Sequence, residues 1–172
     1  MQKRIHIVCL AAFTFLFSGL AMPAQPPKAQ KPLIFAVFEI VDCKNAGARP
    51  MVMKGKEKKE KYCVASKPIV DQTHLQAASG ATSSDGRPEL ELTLTEEGGQ
   101  LMEKATQRII DQHDQYQSHL GIVVHGELLQ VPTLTGVVSS KLMVQGGLTQ
   151  EDVDEIVTFL QKKTRRPPTV QT

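Results

Sequence analysis

Three histidines near the middle of the chain are the side chains most able to bind a metal ion. His113, His119 and His125 follow one another at equal steps of six, and Asp111 and Asp114 flank the first of them. His119 and His125 would share one face of a strand, because side chains in a strand alternate between its faces. A metal site would also need His113 or a carboxylate to converge on them. We expect instead exposed histidines near turns, and a metal-binding or hydrolytic enzyme that uses them is the alternative function.

Other patterns that could support chemistry are weak. The stretch Ser139–Lys141 resembles a Ser/Lys pair, but a strand would direct Ser140 and the lysine to opposite faces. The chain contains no Gly-rich phosphate loop, no HExxH and no CxxC. Gly146 and Gly147 precede a helix start that could hold an anion, but Asp152 in its first turn disfavours this. We therefore predict no catalytic residue, no cofactor and no metal site, with both glycines as turn formers.

The first 24 residues have the pattern of a secretory signal peptide. Lys3 and Arg4 precede the apolar run Ile5–Leu20, and small residues that permit cleavage follow it. An uncleaved anchor is the alternative, although the run is short for a membrane span. Residues 25–32 then read as an extended, Pro-rich linker. The sequence thus predicts a periplasmic or secreted protein, with membrane contact only if the leader is uncleaved.

Export makes two cysteines a candidate disulfide. Cys43 and Cys63 are the only cysteines left once the leader is removed, and an even pair in an oxidising compartment is expected to be joined. Two free thiols are the alternative. A metal site would need more ligands than these two.

Two amphipathic helices and several strands are predicted to position these residues. Leu33–Val41 is almost continuously apolar, which is typical of a central strand buried on both faces. Thr95 is the predicted N-cap of a helix that continues to about Gln112. Its apolar residues Leu101, Ala105 and Ile109 recur every fourth position and are expected to face the core.

A hairpin and a second helix follow. The strand His119–Val124 leads into a turn with Gly126 at its centre, and a return strand contains Pro132, which must lie at a strand end, a bulge or an edge. Val138–Gln145 is a third candidate strand. Thr149 is the predicted N-cap of the second helix, whose apolar stripe is formed by positions 153, 156, 157 and 160.

These elements predict an α+β fold: a ferredoxin-like antiparallel sheet with two helices packed on one face. The clear alternation of Glu89–Leu94 supplies the first strand of that order, and Ser79–Arg87 before it is predicted to be a loop. The chain after the second helix supplies no strand to complete the ferredoxin-like order, and Leu33–Val41 is the candidate for that last strand. We expect one domain over residues 33–161 and a flexible tail over 162–172.

Composition excludes some classes of partner. The net charge is +2, but removal of Lys3 and Arg4 with the leader leaves equal numbers of basic and acidic residues. We therefore expect no nucleic-acid partner. Five lysines and two glutamates are concentrated in KGKEKKEK at 54–61, which is predicted to be a solvated loop or hairpin tip. Contact with an acidic surface or lipid headgroups is the alternative.

Several segments together resemble a known family. They are the stretch Tyr62–Val70, the helix start LTEEGG at 94–99, the hairpin with Gly126 and Pro132, and VQGGLTQED at 144–152. In order and spacing they are similar to the head of the first periplasmic domain of SecD-type protein-export membrane proteins. The resemblance extends from about Tyr62 to Leu160. It implies a ferredoxin-like periplasmic head that contacts translocating polypeptide.

The resemblance and the absence of a catalytic pattern give one functional expectation. We expect a non-catalytic exported domain that binds polypeptide or an envelope protein partner, with an accessory role related to protein export. No later membrane helix is predicted, so proton-driven work is not expected of this chain. An uncovered strand edge would allow a peptide to bind by strand addition.

Overall fold

The computed structural model describes residues 33–55, 60–112 and 118–164. Within them the elements follow one another as β1 (Phe35–Val41), β2 (Arg49–Val52), β3 (Lys61–Val64), β4 (Val70–Asp71), a 3-10 turn (Gln72–His74), β5 (Leu75–Thr82), β6 (Pro88–Leu94), α1 (Glu96–Gln112), β7 (Leu120–Val124), β8 (Glu127–Gln130), β9 (Lys141–Gln145) and α2 (Gln150–Thr164). The predicted leader, linker and most of the predicted tail lie outside these residues. α2 itself ends at Thr164, inside the segment assigned to the tail.

β1 is the central strand of a six-stranded antiparallel sheet. Five of its strands follow the order β2-β3-β1-β7-β8, and the sixth, β4, also pairs with β1. One edge of β1 pairs with β7, from Phe35 opposite Val124 to Glu39 opposite Leu120. The other edge pairs with β4 near its start and with β3 near its end. The first four residues of β1 are at most 1% exposed, because both faces of the strand are covered.

The six-stranded sheet curls, so that the chain after β2 meets the far strand β8. Met53 forms a parallel bridge with Leu128, and the Lys54 N–H donates to the Leu128 carbonyl at 2.8 Å. The inner face of the curl holds a small apolar cluster formed by Ala36, Phe38, Val64, Val123 and Leu128. This contact occupies part of the outer edge of β8.

A second sheet has three strands in the order β5-β6-β9, and here the sequence-based prediction needs correction. Ser79–Thr82, predicted to be loop, is the second half of β5 and pairs residue by residue with β6. The small residues serve packing, because α2 lies directly on this strand: a Cβ on Gly80 would stand 2.7 Å from Val153 Cγ1. The loop itself is limited to Ser83–Arg87.

The third candidate strand, Val138–Gln145, is shorter than predicted and belongs to the second sheet. Only Lys141–Gln145 is strand, and it pairs with β6 rather than with β8. The strand predicted at Leu33–Val41 does join a sheet, where it pairs with β7. It does not share a sheet with β6, the predicted first strand of the ferredoxin-like order, because β6 belongs to the three-stranded sheet. The strands are therefore divided between two sheets, with β8 and β9 as neighbouring edges.

Both helices bury an apolar stripe, although that of α1 is displaced from the predicted one. Met102 and Ile109 are at most 1% exposed, but Leu101 is 39% exposed. In α2 the predicted stripe is buried at Val153, Ile156 and Leu160. Neither helix in the described part of the chain combines the length and hydrophobicity needed to cross a bilayer.

The main core collects one face of each sheet and the stripes of both helices. Its larger members are Phe35, Leu75, Leu90, Leu92, Met102, Ile109, Ile122, Leu129, Ile156 and Leu160. The predicted α+β class, with antiparallel strands and two helices packed against them, is confirmed. The division into two sheets is what the sequence did not reveal.

Candidate functional site

The histidines have separate surroundings. His119 lies at the start of β7, where Nδ1 is 3.3 Å from Thr133 Oγ1. His125 is in the turn after β7, with Nε2 3.4 Å from Glu155 Oε2 and 3.8 Å from Asp152 Oδ1. His113 and the neighbouring Asp114 lie outside the described residues. Within the described part of the chain, no three His, Cys, Asp or Glu side chains are grouped closely enough to hold a metal ion.

The Ser139–Lys141 stretch serves the second sheet. The Ser140 carbonyl accepts the Leu94 N–H at 2.8 Å, and Lys141 Nζ lies 3.2 Å from Glu91 Oε1. These contacts describe a β-sheet edge rather than a nucleophile.

Cys43 and Cys63 form a disulfide with a Cα–Cα distance of 5.1 Å. Cys63 is a buried residue of β3, and Cys43 lies in the exposed chain just beyond β1. The bond closes the loop that contains β2, and so fixes the strand whose end meets β8.

A groove separates the edges of the two sheets, and it is the candidate binding site. Its volume is about 590 Å³, within the range typical of ligand sites. One wall is Leu129–Pro132, the other is Met143–Gly147, and Met53–Gly55 forms the rim. We call this the inter-sheet groove. A hollow of about 220 Å³ continues it along Thr133–Gly136.

A turn that contains glycine lies at one end of each groove wall. His125 and Gly126 have φ values of +50° and +81°, which is the pattern of the type I′ turn that joins twisted strands. Gly146 and Gly147 have φ values of +80° and +73° between β9 and α2. A Cβ on Gly147 would stand 3.3 Å from the Leu129 carbonyl oxygen, so glycine allows the two walls to approach.

Charges at the rim connect it to α2. Lys54 Nζ lies 2.6 Å from Glu127 Oε2, and this hydrogen bond raises the pKa of the lysine. Burial disfavours ionisation of Asp152, but the Thr149 N–H and hydroxyl, with Lys54 and His125, outweigh it and lower the pKa of that carboxyl. Lys54 and Asp152 are therefore both charged at neutral pH.

Sequence reasoning missed this groove because it placed all the strands in one sheet. Pro132 gave no signal of it, because the pairing continues past this residue. Its carbonyl accepts the Leu120 N–H at 3.1 Å, and in the same register the Leu134 N–H bonds to the Ser118 carbonyl at 2.8 Å.

Comparison with solved structures gives two informative matches. The first, described as "Crystal structure of SecDF in Super-membrane-facing form", has a TM-score of 0.53 at 17% identity, covering 76% of this chain and 19% of that one. The second, "Structure and function of a membrane component SecDF that enhances protein export", has a TM-score of 0.52 at 19% identity, covering 76% and 63%. This chain thus spans less than two thirds of either, and the likeness concerns the fold.

Comparison of sequences agrees with the fold. No curated protein matches the chain. The sequence pattern of the family described as "SecDF, P1 head subdomain" matches residues 50–163, from β2 almost to the end of α2. The chain belongs to the family of SecDF P1 head subdomains.

Proposed function

We propose that this chain is a non-catalytic periplasmic domain that binds extended polypeptide in the inter-sheet groove, in a role connected with protein export. The observation that carries the proposal is that two strand edges, β8 and β9, border one groove. An extended peptide bound between them would add a strand to one of the sheets, a recurring mode of peptide recognition.

The backbone of β9 is suited to strand addition. In an antiparallel ladder, residues alternate between pairing with the neighbour and pointing away from it. The Leu94 N–H bonds to the Ser140 carbonyl, and the same register pairs Leu92 with Leu142. The alternation therefore directs the N–H and C=O of Met143 and Gln145 away from β6, towards the groove.

The facing wall has a matching arrangement. The Leu120 N–H bonds to the Pro132 carbonyl, and Ile122 pairs with Gln130 in the same register. Val131 lies between these two positions, so its N–H and C=O point away from β7. Each wall thus offers backbone groups to an inserted strand.

Side chains give the groove apolar contact and one closed end. Met143 is 51% exposed, and a flexible thioether side chain adapts to different apolar partners. At the closed end Gln130 Nε2 donates to the Gly146 carbonyl at 3.1 Å. A peptide is expected to lie along the open part, beside Val131 and Met143, with little selection by sequence.

The compartment and the role are supported less directly. The predicted signal peptide and the disulfide are typical of exported proteins. One structure with a similar fold is described as a component that enhances protein export. These observations favour a periplasmic domain with unfolded polypeptide as its partner.

The test separates backbone from side-chain contacts at one position. A fluorescent synthetic peptide of about ten residues, near the upper end of usual strand length, with alternating valine and threonine is titrated into the purified protein. Met143→Pro removes the outward N–H and is tolerated at an edge strand, whereas Met143→Ala keeps it. We expect the proline variant to bind at least about fivefold more weakly than the alanine variant, as one hydrogen bond contributes on the order of 1 kcal/mol.

Circular dichroism and thermal unfolding check that both variants are folded. Equal affinity of Met143→Pro and Met143→Ala in folded proteins would exclude strand addition at β9. Absence of binding by the wild type would exclude the groove as a peptide site.

A further inference from the structure

A second surface, which shares no residue with the inter-sheet groove, is an apolar hollow beside α1. Its floor consists of Ala65, Pro68, Ile69, Leu101 and Ala105, and its volume is about 450 Å³. We call it the α1 hollow. It lies where α1 passes the chain between β3 and β4.

Leu101 is the unusual residue of this hollow. Its helical periodicity predicts burial, yet it is 39% exposed, because Met102 and Ile109 take the inward positions. An exposed leucine alone is ordinary. Here it is the one exposed member of the apolar floor, so a partner side chain entering the hollow would remove it from water.

The charges around the floor are unbalanced. The one carboxylate there, Glu39, is held by Arg108, whose two terminal nitrogens lie 2.7 and 3.3 Å from its oxygens. Lys67 and Lys104 also line the hollow, and neither forms an ion pair with any described residue. The apolar floor is thus bordered by two free positive charges and no free negative one.

We infer that the α1 hollow binds a protein partner through an aliphatic side chain flanked by carboxylates. The aliphatic group covers Leu101, and the carboxylates neutralise Lys67 and Lys104. Complementary charge at a rim directs partner choice and association rate, while the apolar contact supplies affinity. A protein is favoured over an anionic lipid surface because the two free cations border a hollow, which a projecting side chain can enter and a layer of headgroups cannot.

The probe is a synthetic peptide with one leucine between glutamate pairs, and a lysine-for-glutamate peptide is its control. Binding is followed by amide and methyl NMR shifts of the labelled protein. We expect shifts at Leu101 and Lys104 with the acidic peptide only, and weaker binding at higher ionic strength. The double substitution Lys67→Glu/Lys104→Glu and the single substitution Leu101→Ser should each weaken binding about fivefold or more.

Lys162→Glu is the control, since it reverses an exposed lysine of α2 that forms no hydrogen bond or ion pair with described residues. It should leave binding unchanged. Shifts confined to other surfaces, equal binding of the basic peptide, or an equal loss in Lys162→Glu would overturn the inference. Binding to vesicles with anionic lipid that is lost in the Lys67→Glu/Lys104→Glu protein, without peptide binding, would assign the hollow to a membrane surface instead.

Discussion

The hydroxyl of Thr106 connects two parts of the chain that are far apart in sequence. It is fully buried in α1, donates to the Met102 carbonyl at 2.8 Å and accepts the Val138 N–H at 3.0 Å. A threonine in a helix often bonds back to its own helix. The second bond is the one with a structural effect, because it holds the segment that precedes β9 against α1 and so positions one wall of the inter-sheet groove.

Gly80 is the residue at which α2 and β5 come closest. Gly80→Ala places a Cβ 2.7 Å from Val153 Cγ1, and Val153 is too deeply buried to move aside freely. We expect a loss of unfolding free energy of about 1–3 kcal/mol, as for other overpacked sites. Urea denaturation followed by circular dichroism measures it.

Gly136→Ala is the control, since a Cβ there has no neighbour within 4 Å. Its effect should stay within about 0.5 kcal/mol. Equal stability of the two variants would mean that α2 does not lie on β5 as described.

At the scale of elements, the sequence predicts helices and central strands well because their signals are local. β1, β6, β7 and both helices carry clear apolar patterns. Ser79–Thr82 was misassigned because small polar residues favour loops, and only the approach of Val153 explains them. Leu101 and Met102 differ by one helical position, and tertiary packing alone decides which of them is buried.

The inter-sheet groove was beyond prediction for a related reason. The groove depends on which strand pairs with β9, and that pairing joins segments that are distant in sequence. The sequence predicts a single sheet, whereas β9 pairs with β6 in a second one. The disulfide, by contrast, followed from cysteine count and predicted compartment alone.

The disulfide is expected to stabilise the folded protein by lowering the conformational entropy of the unfolded chain. Cys43 and Cys63 are 20 positions apart, and a closed loop of this size contributes about 3 kcal/mol. Replacement of both by alanine should lower the unfolding free energy by about that amount. Urea denaturation with and without dithiothreitol is the measurement.

The reductant provides its own control. It should destabilise the wild type and leave Cys43→Ala/Cys63→Ala unchanged. Identical behaviour of the two proteins under both conditions would show that the thiols are free.

At the scale of the whole molecule, polar contacts link the curled sheet to α2. His125, in the turn between β7 and β8, faces Glu155 and Asp152 of α2. Lys54, which follows β2, forms an ion pair with Glu127 of the β7–β8 hairpin. Asp152 also accepts the Thr149 N–H at 2.8 Å, and its own N–H bonds to the Thr149 hydroxyl. This reciprocal cap fixes the first turn of α2 beside the hairpin.

The folded protein should therefore lose stability in acid, where Asp152 becomes protonated. Its pKa is lowered below the usual 3.8 in the folded state, since the Thr149 bonds and nearby cations outweigh burial. The contribution is present above about pH 4 and is lost as the pH falls through the lowered value. Asp152→Asn should be about 1 kcal/mol less stable at pH 7, with a smaller further loss in acid.

Unfolding in urea at several pH values tests this, with Asp154→Asn as the control. Asp154 lies on the exposed side of α2 and bonds to Gln150 of the same helix. An acid limb that is equally steep in the wild type and Asp152→Asn would contradict the assignment.

The central position of β1 has a consequence for how the chain acquires its structure. Every strand that pairs with β1 comes later in the chain, and Phe35 must wait for Val124. Since synthesis proceeds from the N-terminus, this apolar strand emerges first, and the edge that pairs with β7 stays open until β7 has been made. A product truncated before β7 would not be a smaller folded domain, but a fragment with an exposed, aggregation-prone segment.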